Sequence, residues 1–295
     1  MQFFADLTEN RFLVSGLAAG LMASLASGIV GPYVVTRRLV FLAGAIAHIA
    51  LGGIGASIYL AYRWPEVFGS MDPLWGATAA SVGSAIVLAW LGQRAGERLD
   101  TVIGALWSAG MALGILLIKL TPGYHSELMS YLFGNLALVH SDHLRLLGLL
   151  DAIVVLVVVL FHKRFLAVCL DEEQARMQGY SVLATDTVLL VLIALTVITL
   201  TQVVGLILVI AMLSLPAATV ARLTPRLIWV VVGSVGLCSL LVTVPRIAVY
   251  GSPISPEPAI VLSAVAVYLV SLVVPRVRSR RTAGETRSRP KIQRT

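Results

Sequence analysis

A single ionisable side chain, His48, interrupts the uncharged stretch from Leu39 to Leu60. At about 1.5 Å per residue that stretch is long enough to cross a bilayer core as a helix. Gly44 lies one turn before the histidine, Gly52 one turn after and Gly55 beyond, and this spacing puts them on one helix face. A glycine face admits a second helix at close range, or leaves a small cavity beside the imidazole. Two readings follow. His48 bonds a neighbouring helix inside a packing groove, or it is a ligand or gate on a transport path, because ionisable groups inside a membrane are costly and tend to be functional. A second group of ligand-type residues, His125, Glu127, His140, Asp142 and His143, precedes the apolar run from Leu144. His140-Ser141-Asp142-His143 could hold a transition metal, but it reads first as an exposed polar loop in which Asp142 caps the following helix. His162, beside Lys163 and Arg164, reads as an interfacial anchor at a helix end.

The elements that carry these residues are apolar. The 295 residues are 58% hydrophobic and 13% charged, with a mean hydropathy of +0.91. A soluble domain has about 25% charged residues, so the composition defines an integral membrane protein. The expected fold is all-α and polytopic, with about nine transmembrane helices (eight to ten, allowing for boundary error). The spans are read at Phe12–Val35, Leu39–Ala61, Leu74–Gly92, Thr101–Leu120, Leu144–Phe161, Ala184–Thr201, Val203–Ala221, Leu227–Val249 and Ala259–Val274. Leu128–Val139 is too short to span and reads as a re-entrant or interfacial helix. The sixth and seventh spans meet at Thr201-Gln202-Val203-Val204-Gly205 with almost no loop, which demands a sharp hairpin at Gly205.

Charge sets the expected topology. Of the 22 basic residues, 17 fall in alternate loops and the C-terminal tail. That asymmetry places the C-terminus in the cytoplasm and the N-terminus outside. Residues 1–275 form the membrane domain, and 276–295 form a basic, disordered tail suited to resting on anionic lipid. The net charge of +7 is distributed as topology signals rather than as a nucleic-acid-binding face. Met1–Asn10 carries Asp6 and Glu9 without the basic head of a signal peptide, so the first span is expected to be retained. Cys169 and Cys238 form no disulfide framework, and Cys238 reads as a small core residue. No Gly-x-x-x-x-Gly-Lys phosphate loop is present, and the three lysines, Lys119, Lys163 and Lys291, follow no such run. The chain is read as a non-enzymatic subunit with no cofactor.

The longest charged interruption, Asp171 to Tyr180, reads as a short helix, acidic in its first turn and closed by Gly179. Its pattern Glu173-x-Ala175-x-x-x-Gly179 resembles the coupling loop by which ABC importer permeases dock on their ATPase. Further motifs resemble the zinc, manganese and iron permeases of that class. They are Gly-x-x-Val-Val-x-Arg-Arg-Leu-Val-Phe-x-x-x-Ala-Ile-Ala-His at Gly31 to His48, Asp100-Thr101-Val102-Ile103-Gly104, Ala112-Leu113-Gly114-Ile115-Leu116, Tyr131-Leu132-Phe133-Gly134-Asn135 and Leu215-Pro216-Ala217-Ala218-Thr219-x-Ala221-Arg222. The resemblance covers roughly Phe12 to Val274.

It implies a multi-pass permease of the inner (plasma) membrane, working as a homodimer. Its implied partners are a separate ABC ATPase subunit and an extracytoplasmic metal-binding protein, and its implied substrate is zinc, manganese or iron. Rival readings are an ABC permease for a siderophore or cobalamin, and an ion-coupled carrier relaying protons through His48 and Asp151. The family commonly has aspartate one turn before the histidine and serine just before it, where this chain has Gly44 and Ala47. His48 therefore needs another acid to complete a metal site, and Asp151 in the fifth span is the leading candidate. Gly44→Asp is expected to rebuild the missing carboxylate. Asp186 and Asp100 read as helix-terminus groups.

Overall fold

The computed structural model describes residues 6, 11–94, 99–122, 141–252 and 255–287, and every regular element among them is helical. The elements are α1 (Arg11–Thr36), α2 (Val40–Arg63), α3 (Pro65–Phe68), α4 (Pro73–Arg94), α5 (Leu99–Lys119), α6 (Ser141–Leu170), α7 (Glu172–Met177), α8 (Val182–Ala221), α9 (Leu227–Ala248) and α10 (Pro256–Arg287). Among the described residues, eight helical segments are long and apolar enough to cross a membrane, and Leu208–Ala221 is a shorter apolar helix. The protein is a polytopic, all-α membrane protein. The expected short helix at Leu128–Val139, with Tyr131 to Asn135, His125, Glu127 and His140, lies outside the described residues.

Helices in lipid gain little from excluding water between them, so close backbone approach and van der Waals contact decide which ones associate. α2 shows this most plainly. A Cβ on Gly52 would lie 2.8 Å from the Gly110 carbonyl oxygen of α5, and one on Gly55 would lie 2.7 Å from that of Gly114. On another face, Gly53 abuts Gly76 of α4 in the same way. Thus α2 is gripped between α4 and α5, with most of its side chains buried. α1 packs on α6, α8 and α9, with Gly28 directly against Val235 of α9. Close helix approach, one of the two uses expected of the glycine face, is realised at Gly52 and Gly55.

α8 is two helical arms joined at Gly205, whose φ of 76° and ψ of 167° are not helical. The arms double back. Arg37, just past α1, holds Asp186, while Gly31 of the same helix lies against the Leu213 carbonyl. Gly31 and Arg37 are six residues apart, about 9 Å along a helix, whereas an unbroken helix would separate Asp186 and Leu213 by about 40 Å. The expected hairpin at Gly205 is therefore present. A backbone of this kind is almost exclusive to glycine.

The first turn-over in the chain uses a different device. α1 ends with Arg38 in the left-handed region at φ 58°, and the Leu39 amide reaches back to the Val34 carbonyl at 2.9 Å. That closure satisfies an orphan carbonyl and sends the chain straight into α2. It leaves Arg37 on the inner side of the bend, with its side chain 17% exposed.

Candidate functional site

The residues around His48 come from three elements. The imidazole stacks on Trp107 of α5, with ring centroids 4.9 Å apart and planes inclined by 21°. A Cβ on Gly44 would come within 3.1 Å of the tip of the Trp107 indole and 2.9 Å of Ile210 Cδ1, on the second arm of α8. The space that a larger residue would need at position 44 is thus filled by Trp107 and Ile210. This alters the expectation for Gly44→Asp: a carboxylate there must first displace the indole. His48 Nδ1 is buried and has no hydrogen-bond partner among the described residues. A buried polar atom without a bond is costly, and the bond that the packing-groove reading called for is not made to any described residue.

Asp151 sits on α6, 4% exposed, and neither carboxylate oxygen has a hydrogen-bond partner among the described residues. Its helix packs against α1 and α8, whereas that of His48 is held by α4, α5 and α8. His48 and Asp151 occupy separate helix pairings, and no group of three or more His, Cys, Asp and Glu side chains suited to a metal ion forms among the described residues.

The Glu173-x-Ala175-x-x-x-Gly179 segment forms the short helix that its residue types require. Asp171 caps α7, accepting from the Glu173 amide at 2.9 Å and the Gln174 amide at 3.1 Å. Glu172 and Glu173 lie in the first turn and favour the positive end of the helix dipole. Gly179 ends the helix at φ 82°, its amide bonded to the Arg176 carbonyl at 3.0 Å, while the Tyr180 amide reaches Ala175 at 3.1 Å. Ala175 is buried against Val168 and Val182, so the small side chain seats α7 on the ends of α6 and α8. Glu173 and Gly179 remain exposed.

Two residues behave differently from their sequence reading. Asp186 is no mere helix-terminus group, since both its oxygens accept from Arg37 Nη2, at 2.8 and 3.0 Å. His162 is not at a helix end, because α6 continues to Leu170; its Nδ1 pairs at 2.6 Å with the hydroxyl of Tyr33 on α1. Asp100 does lie in the first turn of α5, as expected. Trp107 and the Arg37–Asp186 pair were missed by sequence reasoning. Their partners are 59 and 149 positions away, and no local spacing signals such contacts.

The chain matches the ABC 3 transport family over residues 9–275, and it belongs to that family. It is 35% identical over 266 residues to a Chlamydia muridarum protein named "probable metal transport system membrane protein", covering 90% of this chain and 89% of that one. It is also 31% identical over 227 residues to the manganese transport system membrane protein MntC of Listeria monocytogenes, covering 77% and 78%. Among solved structures, PsaBC from Streptococcus pneumoniae in complex with Fab superposes with a TM-score of 0.80 at 27% identity, covering 92% of this chain and 94% of that one.

Proposed function

We propose that this protein is the membrane-spanning permease subunit of an ABC importer for a divalent transition metal, zinc, manganese or iron. The observation that carries the reading is the docking helix α7, built on a bundle that matches a transport family along nearly its whole length. The metal relatives support the substrate class. The permease itself hydrolyses nothing. A separate ATPase takes hold of α7, with Glu173 and Gly179 at the contact and Ala175 seating the helix on the bundle. An extracytoplasmic metal-binding protein delivers the ion. Two copies of the chain flank the path, and the basic ends of the helices and the tail at 276–295 face the cytoplasm and its anionic lipids.

On this reading His48 and Asp151 are the membrane-buried groups that meet the ion in transit. A neutral imidazole nitrogen binds zinc, iron and manganese, and a carboxylate supplies an oxygen to the harder ions. Both present buried atoms without partners among the described residues. The stack on Trp107 orients the imidazole and keeps its surroundings apolar.

The test is reconstitution of the permease with its ATPase and binding protein in liposomes. Labelled manganese, zinc and iron are offered separately, with and without ATP. ATP-dependent accumulation of at least one of them is expected. Accumulation of a metal chelate alone, or uptake driven by a proton gradient without ATP, overturns the reading.

A further inference from the structure

The Arg37 guanidinium ties four segments together. Nη1 donates to Glu172 Oε1 at 2.5 Å and to the Val168 carbonyl at 3.2 Å, while Nη2 donates to both oxygens of Asp186. Val168 lies near the end of α6, Glu172 opens α7, and Asp186 lies in the second turn of α8. Arg37 itself stands in the bend between α1 and α2. A planar five-donor fork can serve three acceptors in fixed directions, which a lysine ammonium does not reproduce. Burial pulls the guanidinium pKa down, but Asp186 and then Glu172 outweigh it and hold the value above its ordinary position, so the fork stays charged. A cavity of about 120 Å³, lined by Arg37, Leu42, Ile103, Glu172, Asp186 and Leu190, adjoins the cluster and gives the side chain room to shift.

The placement of this cluster matters because the remaining packing of α7 runs to α6 and α8, its neighbours in sequence. Arg37 supplies an ion-paired link from α7 to the bend between α1 and α2. His48 stands on α2, about 12 Å along the helix from its start at Val40. Glu172 has a side-chain exposure of 44%, against 17% for Asp186. The pair to α7 is therefore the more readily broken, and the pair to α8 is the more permanent anchor.

We propose that Arg37 is a positioning residue that latches α7 to the bend between α1 and α2, so that displacement of α7 by the ATPase moves the His48 helix. The inference rests on the reading of α7 as the ATPase dock. Its consequence is that loss of the latch separates ATP hydrolysis from transport, rather than abolishing both.

The experiment uses the complete transporter in liposomes and reads three quantities: labelled manganese(II) taken up, ATP hydrolysed, and ATPase retained on the purified permease. Arg37→Gln should lower uptake per ATP at least tenfold while the ATPase is retained at the wild-type ratio. Glu172→Gln should lower it several-fold, and Arg37→Lys should recover part of the loss. Once Arg37→Gln is present, adding Glu172→Gln should change nothing further. A purely structural arginine would lower the amount of inserted protein and leave uptake per ATP unchanged. That outcome overturns the latch. Should Arg37→Gln fail to insert, Glu172→Gln at its more exposed position decides alone, and a wild-type ratio there is equally fatal. Gly179→Trp separates the two ideas. An ATPase that stays bound and drives normal uptake in that variant refutes the dock itself, whatever Arg37 does.

Discussion

His48 and Asp151 share an unusual condition: each has a buried polar atom with no partner among the described residues, inside helices long and apolar enough to span a membrane. A structural histidine normally holds a hydrogen bond, and a structural intramembrane aspartate is normally paired. The absence of such bonds makes their substitution informative. His48→Ala should cut ATP-dependent metal uptake by tenfold or more at unchanged levels of inserted protein. His48→Asn, which retains hydrogen bonding but ligates metal weakly, should fail similarly. Wild-type uptake by the asparagine variant for all three metals would return His48 to a packing role. Asp151→Asn removes a buried ionisable carboxyl that has no hydrogen-bond partner among the described residues. Its melting temperature in detergent should rise while its uptake falls, a pairing expected of a functional group held at the expense of stability. Gly44→Asp gains its carboxylate only by moving Trp107 and the Ile210 methyl tip, so alone it should lower the yield of folded protein. Combined with Trp107→Ala it should insert normally and shift preference toward manganese, a metal suited to oxygen ligands. Unchanged yield for Gly44→Asp alone would contradict the packing at that face.

At the scale of elements, two turns depend on the positive φ that glycine allows, at Gly205 and at Gly179. Gly205 reverses α8 through a backbone that other residues avoid, so Gly205→Ala should cost about 1–3 kcal/mol. Gly236 lies within helix α9, where an added Cβ would meet nothing within 4 Å. Gly236→Ala should accordingly be neutral or stabilise by up to about 1 kcal/mol. Thermal unfolding of the two variants in the same detergent checks the contrast, and equal melting temperatures would remove the special status of Gly205. Gly179 also needs its positive φ, but it stands in open space at the surface of α7. Gly179→Trp should therefore leave the bundle folded, strain the end of α7 and weaken retention of the ATPase. Normal retention and transport would take this turn out of the mechanism.

For the molecule as a whole, the prediction concerns orientation. In a background lacking Cys169 and Cys238, a cysteine at Glu66 should react with an impermeant thiol reagent in intact cells, and one at Arg287 should react only after lysis. Reversed labelling would invert the proposed topology. The membrane class, the helical fold, the hairpin at Gly205 and the shape of α7 were all legible in the sequence. Each rests on local properties: hydropathy over a span's length, charge between spans, cap residues, and a glycine where the chain must reverse. Only the tertiary structure could decide that Trp107 fills the face left open by Gly44, that His162 bonds Tyr33, or that Asp186 is paired with Arg37 instead of idling at a helix end. His48 and Asp151 could be picked out as ionisable groups in apolar runs, but their assignment to separate helix pairings could not. The physical reason is the solvent. In a bilayer nearly every span is apolar all round, so periodicity does not say which face meets which neighbour. That choice belongs to backbone contacts such as Gly52 with Gly110 and Gly55 with Gly114, made between helices far apart in the chain.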